Sequence, residues 1–593
     1  MNIILLLLVS AFLNINVTTD TITGTVTDEN SLPLPGVNVL VKGSKTATQT
    51  NLEGNYRIKA QKGDQLVFSY VGYETTTVKV DDKEVINVSL TPDSAELEEI
   101  VVTGMNPGAN QQIRIRGFAS PAPPKESYKE INENIFKRVT TAPLSTFSID
   151  VDKASYSNVR RMINNGQEVP EDAVKVEEMI NYFNYDYSQP TGEHPFAIHT
   201  TVAATPWNKD TKLVKIALQG KEVPLDNVPA SNLVFLLDVS GSMNAPNKLP
   251  LLKSAFKLLT GQLREKDKVA IVVYAGAAGV VLPATEGNNK TAIFEALEKL
   301  EAGGSTAGGA GIEMAYKIAR ENFIKGGNNR VILATDGDFN VGASSDRAME
   351  DLIEEKRESG VFLTVLGFGM GNYQDSKLET LAQKGNGNHA YIDTMQEAKR
   401  VLGTEFGGTI YTIAKDVKIQ VEFNPAKVQA YRLIGYENRL LNDEDFNDDK
   451  KDAGELGSGH TVTALYEIIP TGVKSKFLKD VDDLKYSEKK TQKNSDELLT
   501  VKFRYQEPQG SKSKLLTRVV EDKTSAMDPD FKFASAVALF GMQLRDSEFT
   551  NNAPVDMVIS LAEEGRGKDP EGYRAEFIRL VSTAAVGEET ASE

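Results

Sequence analysis

Residues Leu233–Asp238 read LVFLLD, a continuous apolar run that ends in a carboxylate. A run of this length is typical of a strand that is buried on both faces of a parallel sheet. Stretches with helical periodicity separate it from further runs of the same kind. These further runs are KVAIVVY (268–274), RVILATD (330–336), residues 362–368 and residues 390–392. Strands that alternate with helices predict a doubly wound α/β domain, which we place at residues 229–408.

Three polar segments lie at the predicted strand ends. They are DVSGSM after the first strand, a GGST loop, and TDGD after the third strand. Doubly wound folds bind ligands outside the carboxyl ends of their strands, so we expect these segments to lie close together. They supply two carboxylates and three hydroxyls, from Asp238, Ser240, Ser242, Thr306 and Asp336. Oxygen ligands without His or Cys are typical of hard divalent cations, so this set predicts a site for Mg²⁺ or Mn²⁺.

The order of these residues resembles a von Willebrand factor type A domain with a metal-ion-dependent adhesion site. That site has the pattern D-x-S-x-S, then a Thr, then an Asp within T-D-G. Thr306 fits the family's Thr better than Ser305, because Gly311 and Ile312 follow it at the family's spacing. The resemblance implies that the hydroxyls bind the metal directly and that the carboxylates often act through water. It also implies a vacant coordination position that accepts an Asp or Glu carboxylate from a protein partner.

The segment before this domain extends the resemblance. TFSIDVDKASYSNVRRMIN (146–164) and VKVEEMINYF (174–183) resemble the N-terminal flank of bacterial YfbK-like von Willebrand A proteins. LATDGDFNVG (333–342) also has the form found in that subgroup. We therefore expect a flanking region over residues 129–228. Asp150 and Asp152, within SIDVD, alternate on a predicted strand and are expected on the surface or in a turn rather than in a second metal site.

Alternating apolar residues return beyond residue 410 and predict β strands. Residues 531–544 and 573–581 have helical periodicity. We therefore expect a β-rich C-terminal domain with helices over residues 409–593. The YfbK-like subgroup carries a C-terminal domain of similar length, so the resemblance extends to the end of the chain.

Residues 21–92 contain short alternating strands separated by turn residues, which predicts a small β-sandwich. The runs GTVTDENSLPLPGVNVLVKG, TNLEGNYRI and FSYVGYET resemble the carboxypeptidase-regulatory-like domain. That domain is found in outer-membrane receptors and other envelope proteins of Bacteroidetes. The resemblance implies a non-catalytic packing or docking module. Residues 106–125 are rich in Pro, Gly, Gln and Ala, and we predict a linker over residues 93–128.

Residues 1–16 contain an apolar core, Ile3 to Leu13, that is too short to span a bilayer as a helix. It has the length of a signal-peptide core, and a buried strand or helix at the start of a domain is the alternative. No other run reaches ~18 uninterrupted apolar residues, so we expect no transmembrane segment in the mature chain. Together with the envelope-type module, the signal peptide predicts export to the periplasm or to the cell surface, in association with the outer membrane.

Composition excludes several classes of function. The chain carries 66 basic and 83 acidic residues, a net charge of −17, so nucleic acid and anionic lipid are not expected as partners. It contains no Cys, which excludes disulfides, thiolate metal sites and cysteine nucleophiles. Its four His residues are scattered, which argues against a multi-His metal site or a Ser-His-Asp triad.

These features predict a metal-dependent protein-binding scaffold of the bacterial envelope, for adhesion or complex assembly, and not an enzyme. Two alternatives stay open, namely a hydrolase that uses the same Mg²⁺ to activate water and a metal-independent structural protein. The sequence favours binding because no evident general base accompanies the metal cluster, and His389 is interpreted as structural. A haloacid-dehalogenase-type phosphatase needs a second carboxylate where Ser240 stands. Neither Ser240 nor Ser242 lies in a Gly-x-Ser-x-Gly elbow.

Overall fold

The computed structural model describes most of the chain after residue 19. The described residues are 20–28, 33–34, 37–42, 44, 46–51, 53–70, 73, 75–81, 85–91, 126–304, 308–337, 346–479, 496–508 and 510–592. The predicted signal peptide lies outside them, as does most of the predicted linker. The chain divides into two units, residues 1–118 and residues 119–593, which we describe separately.

The first unit is a β-sandwich. Its described strands are β1 (Asp20–Thr27), β2 (Asn38–Val41), β3 (Ala47–Gln49), β4 (Asn55–Ala60), β5 (Gln65–Ser69), β6 (Thr76–Lys79) and β7 (Val88–Ser89). One sheet has the order β4-β1-β7 and the other has the order β3-β2-β5-β6. Every second residue of β4 is buried, and the inner faces of both sheets form one apolar core. The alternation in the sequence predicted this sandwich because alternate residues of a strand face opposite sides of its sheet.

The second unit begins with four strands and two helices that precede the central sheet. They are β8 (Lys137–Arg138), β9 (Leu144–Ser148), α1 (Ala154–Asn164), α2 (Val176–Tyr182), β10 (Phe196–Thr205) and β11 (Asn208–Gly220). Nearly every residue of the two helices is buried. These helices therefore lie inside the unit and contact other elements on all sides.

The central domain contains six strands of one sheet, with helices between them. The strands are β12 (Ser231–Asp238), β13 (Lys268–Tyr274), β14 (Ala278–Glu286), β15 (Asn328–Thr335), β16 (Phe362–Phe368) and β17 (His389–Ile392). The helices are α3 (Leu249–Gln262), α4 (Lys290–Glu298), α5 (Gly308–Glu321), α6 (Asp346–Arg357), α7 (Asp375–Lys384), α8 (Met395–Lys399) and α9 (Phe406–Ile410). A π-helical turn, Arg400–Thr404, joins the last two helices.

The strand order in the central sheet is β14-β13-β12-β15-β16-β17. All neighbours are parallel except β14, which pairs antiparallel at one edge. Every residue of β12 is buried. Leu233 and Phe235 belong to the core on one side of the sheet, whereas Val234 and Leu236 belong to the core on the other side. The expected doubly wound α/β fold is confirmed.

The remaining strands and helices follow the central domain. They are β18 (Thr412–Phe423), β19 (Val428–Ile434), β20 (Gly454–Gly457), β21 (Thr461–Pro470), β22 (Glu497–Gln506), β23 (Ser513–Glu521), α10 (Pro529–Leu544), α11 (Val555–Gly565) and α12 (Tyr573–Ser592). The β-rich character and the two predicted helices, now α10 and α12, are confirmed. Within the described residues, no helix is both long enough and apolar enough to cross a membrane.

The segments on the two sides of the central domain share their sheets. One sheet has the order β10-β11-β21-β19-β8, and β9 pairs antiparallel with β18 of a second sheet, β20-β18-β22-β23. Helix α2 packs against α10, where Phe183 and Phe533 form an edge-to-face pair with ring centroids 4.8 Å apart. We call the described parts of residues 129–228 and 409–593 the flanking module. The central domain is an insertion within this two-part module.

The prediction that Asp150 and Asp152 lie on the surface or in a turn is wrong. Both residues are buried, with 3% and 4% of their surface exposed. Arg439 Nε donates to Asp150 Oδ2 and Arg439 Nη2 donates to Asp152 Oδ2, each at 2.9 Å. Asp152 Oδ1 accepts the backbone N–H of His389, at the start of β17, at 2.8 Å. Buried carboxylates are tolerated when a cation neutralises them, and here that cation is 287 residues further along the chain.

A second buried cation joins the same cluster across the interface between the flanking module and the central domain. Lys175 Nζ lies 2.8 Å from Asp375 Oδ2, 2.9 Å from Glu379 Oε2 and 3.1 Å from Glu178 Oε1. Burial would raise the pKa of Glu379, but Lys175 and Arg439 hold it at about 2. Asp375 and Glu379 lie on α7, so the ion pairs attach this helix of the central domain to the flanking module.

We expect Arg439→Met to destabilise the flanking module by about 3–5 kcal/mol, because it leaves buried carboxylates without their cation. Burial raises the pKa of Asp152 to about 7, so its unfolded form ionises at lower pH than its folded form. The contribution of Asp152 to the free energy of unfolding therefore falls as pH rises from about 4 to about 7. The loss in Arg439→Met should accordingly be larger at pH 8 than at pH 5.

Urea unfolding followed by the fluorescence of Trp207, the single Trp of the chain, measures this effect within the module's core. Lys502→Met is the matched control, because Lys502 pairs with Glu422 on an exposed part of β22 and β18. This control should change the free energy of unfolding by at most about 1 kcal/mol. Equal effects of the two substitutions would contradict the role given to Arg439.

Candidate metal centre

The two carboxylates among the predicted metal ligands, Asp238 and Asp336, lie at the carboxyl edge of the central sheet, at the ends of neighbouring strands. Asp238 is the last residue of β12, and Asp336 follows the last residue of β15. From β12 the chain continues to β13, which is the neighbour of β12 on one side. The neighbour of β12 on its other side is β15. The strand order therefore reverses between β12 and β15, and such a switch point is where open α/β sheets bind ligands.

The DVSGSM segment turns sharply as it leaves β12. The backbone N–H of Ser240 donates to Asp238 Oδ1 at 2.8 Å, which closes the turn. Ser242 lies two residues further on, in the 3₁₀ turn Gly241–Asn244. The hydroxyl oxygens of Ser240 and Ser242 are 3.1 Å apart. Asp238 and Ser240 are buried, whereas Ser242 is exposed, so the oxygen cluster is reached from the Ser242 side.

Two hydroxyls from neighbouring strands hold the Asp238 carboxylate. Tyr274, the last residue of β13, donates to Asp238 Oδ2 at 3.1 Å. Thr335, the last residue of β15, donates to the same oxygen at 3.0 Å. Burial raises the pKa of the Asp238 carboxyl, and the hydrogen bonds from Ser240 and Thr335 oppose that rise. Asp238 is therefore a fixed carboxylate, and a nearby positive charge would offset the energetic cost of burying its charged form.

The GGST loop is attached to the DVSGSM segment through its backbone. Gly303 N–H donates to Val239 O at 2.8 Å, and Gly241 N–H donates to Gly304 O at 3.0 Å. Gly304 has a φ of +79°, a conformation that L side chains rarely adopt. These bonds bring the loop alongside the two serines. Thr306, the predicted ligand on this loop, lies outside the described residues.

A buried lysine that the sequence analysis missed contacts the second carboxylate. Lys248 Nζ donates to Asp336 Oδ2 at 2.8 Å and to Asn372 Oδ1 at 3.3 Å. Lys248 directly precedes α3, in the sequence APNKLPLL. A cation just after a metal-binding motif is the signal that could have drawn attention to it. Its contact with Asp336 depends on tertiary structure, because 88 residues separate the two.

The donor set fits a small hard cation. In an octahedral shell with metal–oxygen distances of 2.0–2.1 Å, neighbouring oxygens are about 3 Å apart. The Ser240 and Ser242 hydroxyls have this separation, since they lie 3.1 Å apart. Asp238 and Asp336 add anionic oxygens, and Mg²⁺ prefers such ligands. Among the described residues, no group of three or more His, Cys, Asp or Glu side chains could hold a metal ion, so a cation here would need the serine hydroxyls as ligands.

Four family models match the chain, in an order that follows the segments described above. They are "CarboxypepD_reg-like domain" at residues 22–102, "von Willebrand factor" at 122–215, "von Willebrand factor type A domain" at 232–402, and "Uncharacterized protein YfbK, C-terminal" at 408–586. Protein YfbK of Escherichia coli (strain K12) is 45% identical over 467 residues, which cover 77% of this chain and 80% of that protein. The chain belongs to the YfbK family. The expected resemblances to YfbK-like von Willebrand A proteins and to the carboxypeptidase-regulatory-like domain are confirmed.

Two other similarities cover a smaller share of this YfbK-family chain than the match to YfbK does. TonB-dependent receptor P39 of Formosa agariphila is 41% identical over 104 residues, 17% of this chain and 10% of that receptor. The chain thus spans about a tenth of this relative's length. A solved von Willebrand factor type A structure from Catenulispora acidiphila is 17% identical, covers 65% of this chain and 90% of that one, and has a TM-score of 0.36.

His389 has the structural position expected for it. It is buried in β17, and its Nε2 lies 2.8 Å from the Tyr373 hydroxyl. Burial lowers the pKa of His389, so the ring is neutral at physiological pH. A buried ring that already bonds a tyrosine is a poor candidate for a general base.

We expect Tyr274→Phe to lower the free energy of unfolding of the central domain by about 1–3 kcal/mol, because it removes a donor from a buried carboxylate. Tyr316→Phe is the matched control. Tyr316 is also buried, on α5, but its hydroxyl makes no hydrogen bond among the described residues. Urea unfolding followed by circular dichroism should show a loss for Tyr274→Phe and a change within about 0.5 kcal/mol for Tyr316→Phe. The reverse order would show that Tyr274 does not support Asp238.

Proposed function

We propose that this YfbK-family chain is a metal-dependent protein-binding scaffold of the bacterial envelope, which serves adhesion or complex assembly. Five residues would hold a Mg²⁺ or Mn²⁺ ion, namely Asp238, Ser240, Ser242, Thr306 and Asp336. The bound ion would supply a Lewis-acidic position for an Asp or Glu carboxylate of a protein partner. The chain's own residues orient the ligand oxygens and exclude water from the buried side of the site.

The separation of 3.1 Å between the Ser240 and Ser242 hydroxyls, beside the buried Asp238, is the observation that carries this proposal. Two serines of an ordinary turn would face solvent independently. Here the Ser240 N–H bond to Asp238 closes the turn, and the two hydroxyls lie within hydrogen-bond distance of each other. The exposed side of Ser242 leaves room for a partner's side chain.

Binding is favoured over hydrolysis because the described surroundings of the serines supply no general base. His389 is buried and bonded to Tyr373. Both oxygens of Asp238 already accept hydrogen bonds, from Ser240, Tyr274 and Thr335. A base must reach the proton that it removes, within about 2.6–3.2 Å or through one water.

An envelope location is part of the proposal. The chain shares 104 residues of similarity with a TonB-dependent receptor, and its N-terminal unit matches the CarboxypepD_reg-like family. The apolar segment from Ile3 to Leu13 would act as an export signal. The periplasm or the cell surface supplies the protein partners that such a scaffold would assemble.

Titration of the purified chain with Mn²⁺ tests the metal site. We expect one ion per molecule, and Asp238→Ala should abolish binding because it removes a charged ligand. Ser240→Ala and Thr306→Ala should each weaken binding less, by about tenfold, because each removes a neutral ligand rather than a charge; a tenfold loss corresponds to about 1.4 kcal/mol. Isothermal titration calorimetry gives both the stoichiometry and the affinity.

Ser254→Ala is the matched control for this titration. Ser254 lies exposed on α3, and its hydroxyl donates to Pro250 O within the helix at 3.0 Å. Its loss should leave Mn²⁺ binding unchanged. Unaltered binding in Asp238→Ala, or equal losses in all four variants, would contradict the assignment.

Partner binding should also depend on the metal. Proteins of the native envelope captured by the immobilised chain in Mg²⁺ should be released by EDTA and should not bind Asp238→Ala. Because the chain carries a net charge of −17, moderate salt should preserve or slightly improve capture of an acidic partner by screening long-range repulsion. Replacing the partner's critical carboxylate by an amide should weaken binding at least tenfold. Capture that is indifferent to EDTA and to Asp238→Ala would place the interface elsewhere, such as on the N-terminal β-sandwich.

A further inference from the structure

Lys248 is a buried ammonium group within the loops that form the candidate metal centre. Its surface is 7% exposed, and its Nζ bonds Asp336 and Asn372. Most surface lysines extend into water, because their ammonium is strongly hydrated. A lysine that is drawn inward to one of two carboxylates at a cation site changes the electrostatics of that site.

The position of Lys248 is fixed by its backbone as well as by its ion pair. Its N–H donates to Ala245 O at 3.0 Å, and its carbonyl accepts the first helical bond of α3, from Leu252 N–H, at 2.8 Å. The lysine stem crosses Gly369, where an added Cβ would lie 2.3 Å from Lys248 Cε. The ammonium is therefore held at Asp336 from three chain segments, namely the loop before α3, the end of β15 and the loop after β16.

The charges of the groups that the structure describes at this site can be added. Asp238 and Asp336 contribute two negative charges, and Lys248 contributes one positive charge. A divalent cation would bring the net charge of this group from −1 to +1. Without Lys248 the same cation would leave the group neutral. A net positive charge attracts an anionic ligand, and a neutral group does so less strongly.

We propose that Lys248 is a positioning residue that weakens metal binding and strengthens carboxylate binding at this site. This inference rests on the proposed function, because it requires a cation at the serines and an anionic partner. The ammonium repels the incoming cation and so weakens its binding. Once the cation is bound, the same ammonium keeps the site net positive and strengthens the capture of a carboxylate. Its second contact, to Asn372, holds it beside Asp336 in both states.

A purely structural role for Lys248 leads to a different result. If the lysine only held Asp336 in place, its loss would weaken cation binding and carboxylate binding together. If it acts through its charge, its loss changes the two affinities in opposite directions. The sign of the change therefore separates the two roles.

The test uses the full chain, Mn²⁺ as the cation and acetate as the carboxylate, at constant ionic strength. We expect Lys248→Met to bind Mn²⁺ about three- to tenfold more tightly than the wild type, because a repelling charge is removed. We expect the Mn²⁺-loaded variant to bind acetate about threefold to tenfold more weakly. Calorimetry measures the first affinity, and the fall in water proton relaxation as acetate displaces water from Mn²⁺ measures the second.

One variant serves as the control. Lys253→Met removes a lysine of α3 whose Nζ bonds the carbonyl oxygens of Glu298 and Leu300. It should leave the two affinities within about twofold of the wild type. Lys248→Gln repeats the charge removal with a polar side chain, should Lys248→Met fail to fold.

Opposite changes in the two affinities, confined to the Lys248 variants, would support the inference. Weaker Mn²⁺ binding or unchanged acetate binding in those variants would overturn it while leaving the proposed metal site intact. A wild-type chain that binds no Mn²⁺ would overturn the proposed function itself and this inference with it.

Discussion

The complete burial of β12 between β13 and β15 is the constraint on which the rest of the structure depends. Because helices cover both faces of the central sheet, all eight residues of β12 are buried, and its apolar run ends at the sheet edge with Asp238. The carboxylate is thus placed where the core ends and the loops begin. The neighbouring strands end at the same level, and each adds a hydroxyl to Asp238, from Tyr274 and Thr335.

The central domain is attached to the flanking module by buried charges as well as by apolar packing. Lys175 contacts two carboxylates of α7, and Arg439 contacts Asp150 and Asp152, which in turn bond the start of β17. Buried ion pairs contribute little net stability compared with apolar packing, but they tolerate few alternative arrangements. This cluster therefore specifies how the inserted domain is oriented on the module that surrounds it.

The candidate metal centre also pairs buried carboxylates with a buried cation. A site built from buried carboxylates is costly without cations, and burial raises the pKa of Asp238 accordingly. Lys248 supplies one positive charge from within the chain, at Asp336. Asp238, Asp336 and Lys248 together carry a net charge of −1, which would attract a bound cation.

The sequence by itself determined the local elements: the apolar runs gave β12, β13 and β15, the alternation gave the sandwich, and the motif spacing placed Asp238 and Asp336 at strand ends. These features are local because side-chain periodicity follows from backbone geometry alone. Only the tertiary structure decided the burial of Asp150 and Asp152, the sheets shared across the inserted domain, and the contact of Lys248 with Asp336. Each depends on a partner that is distant along the chain, 287 residues away for Asp152 and 88 for Lys248. A charged residue is predicted to be exposed unless the opposite charge that neutralises it is known.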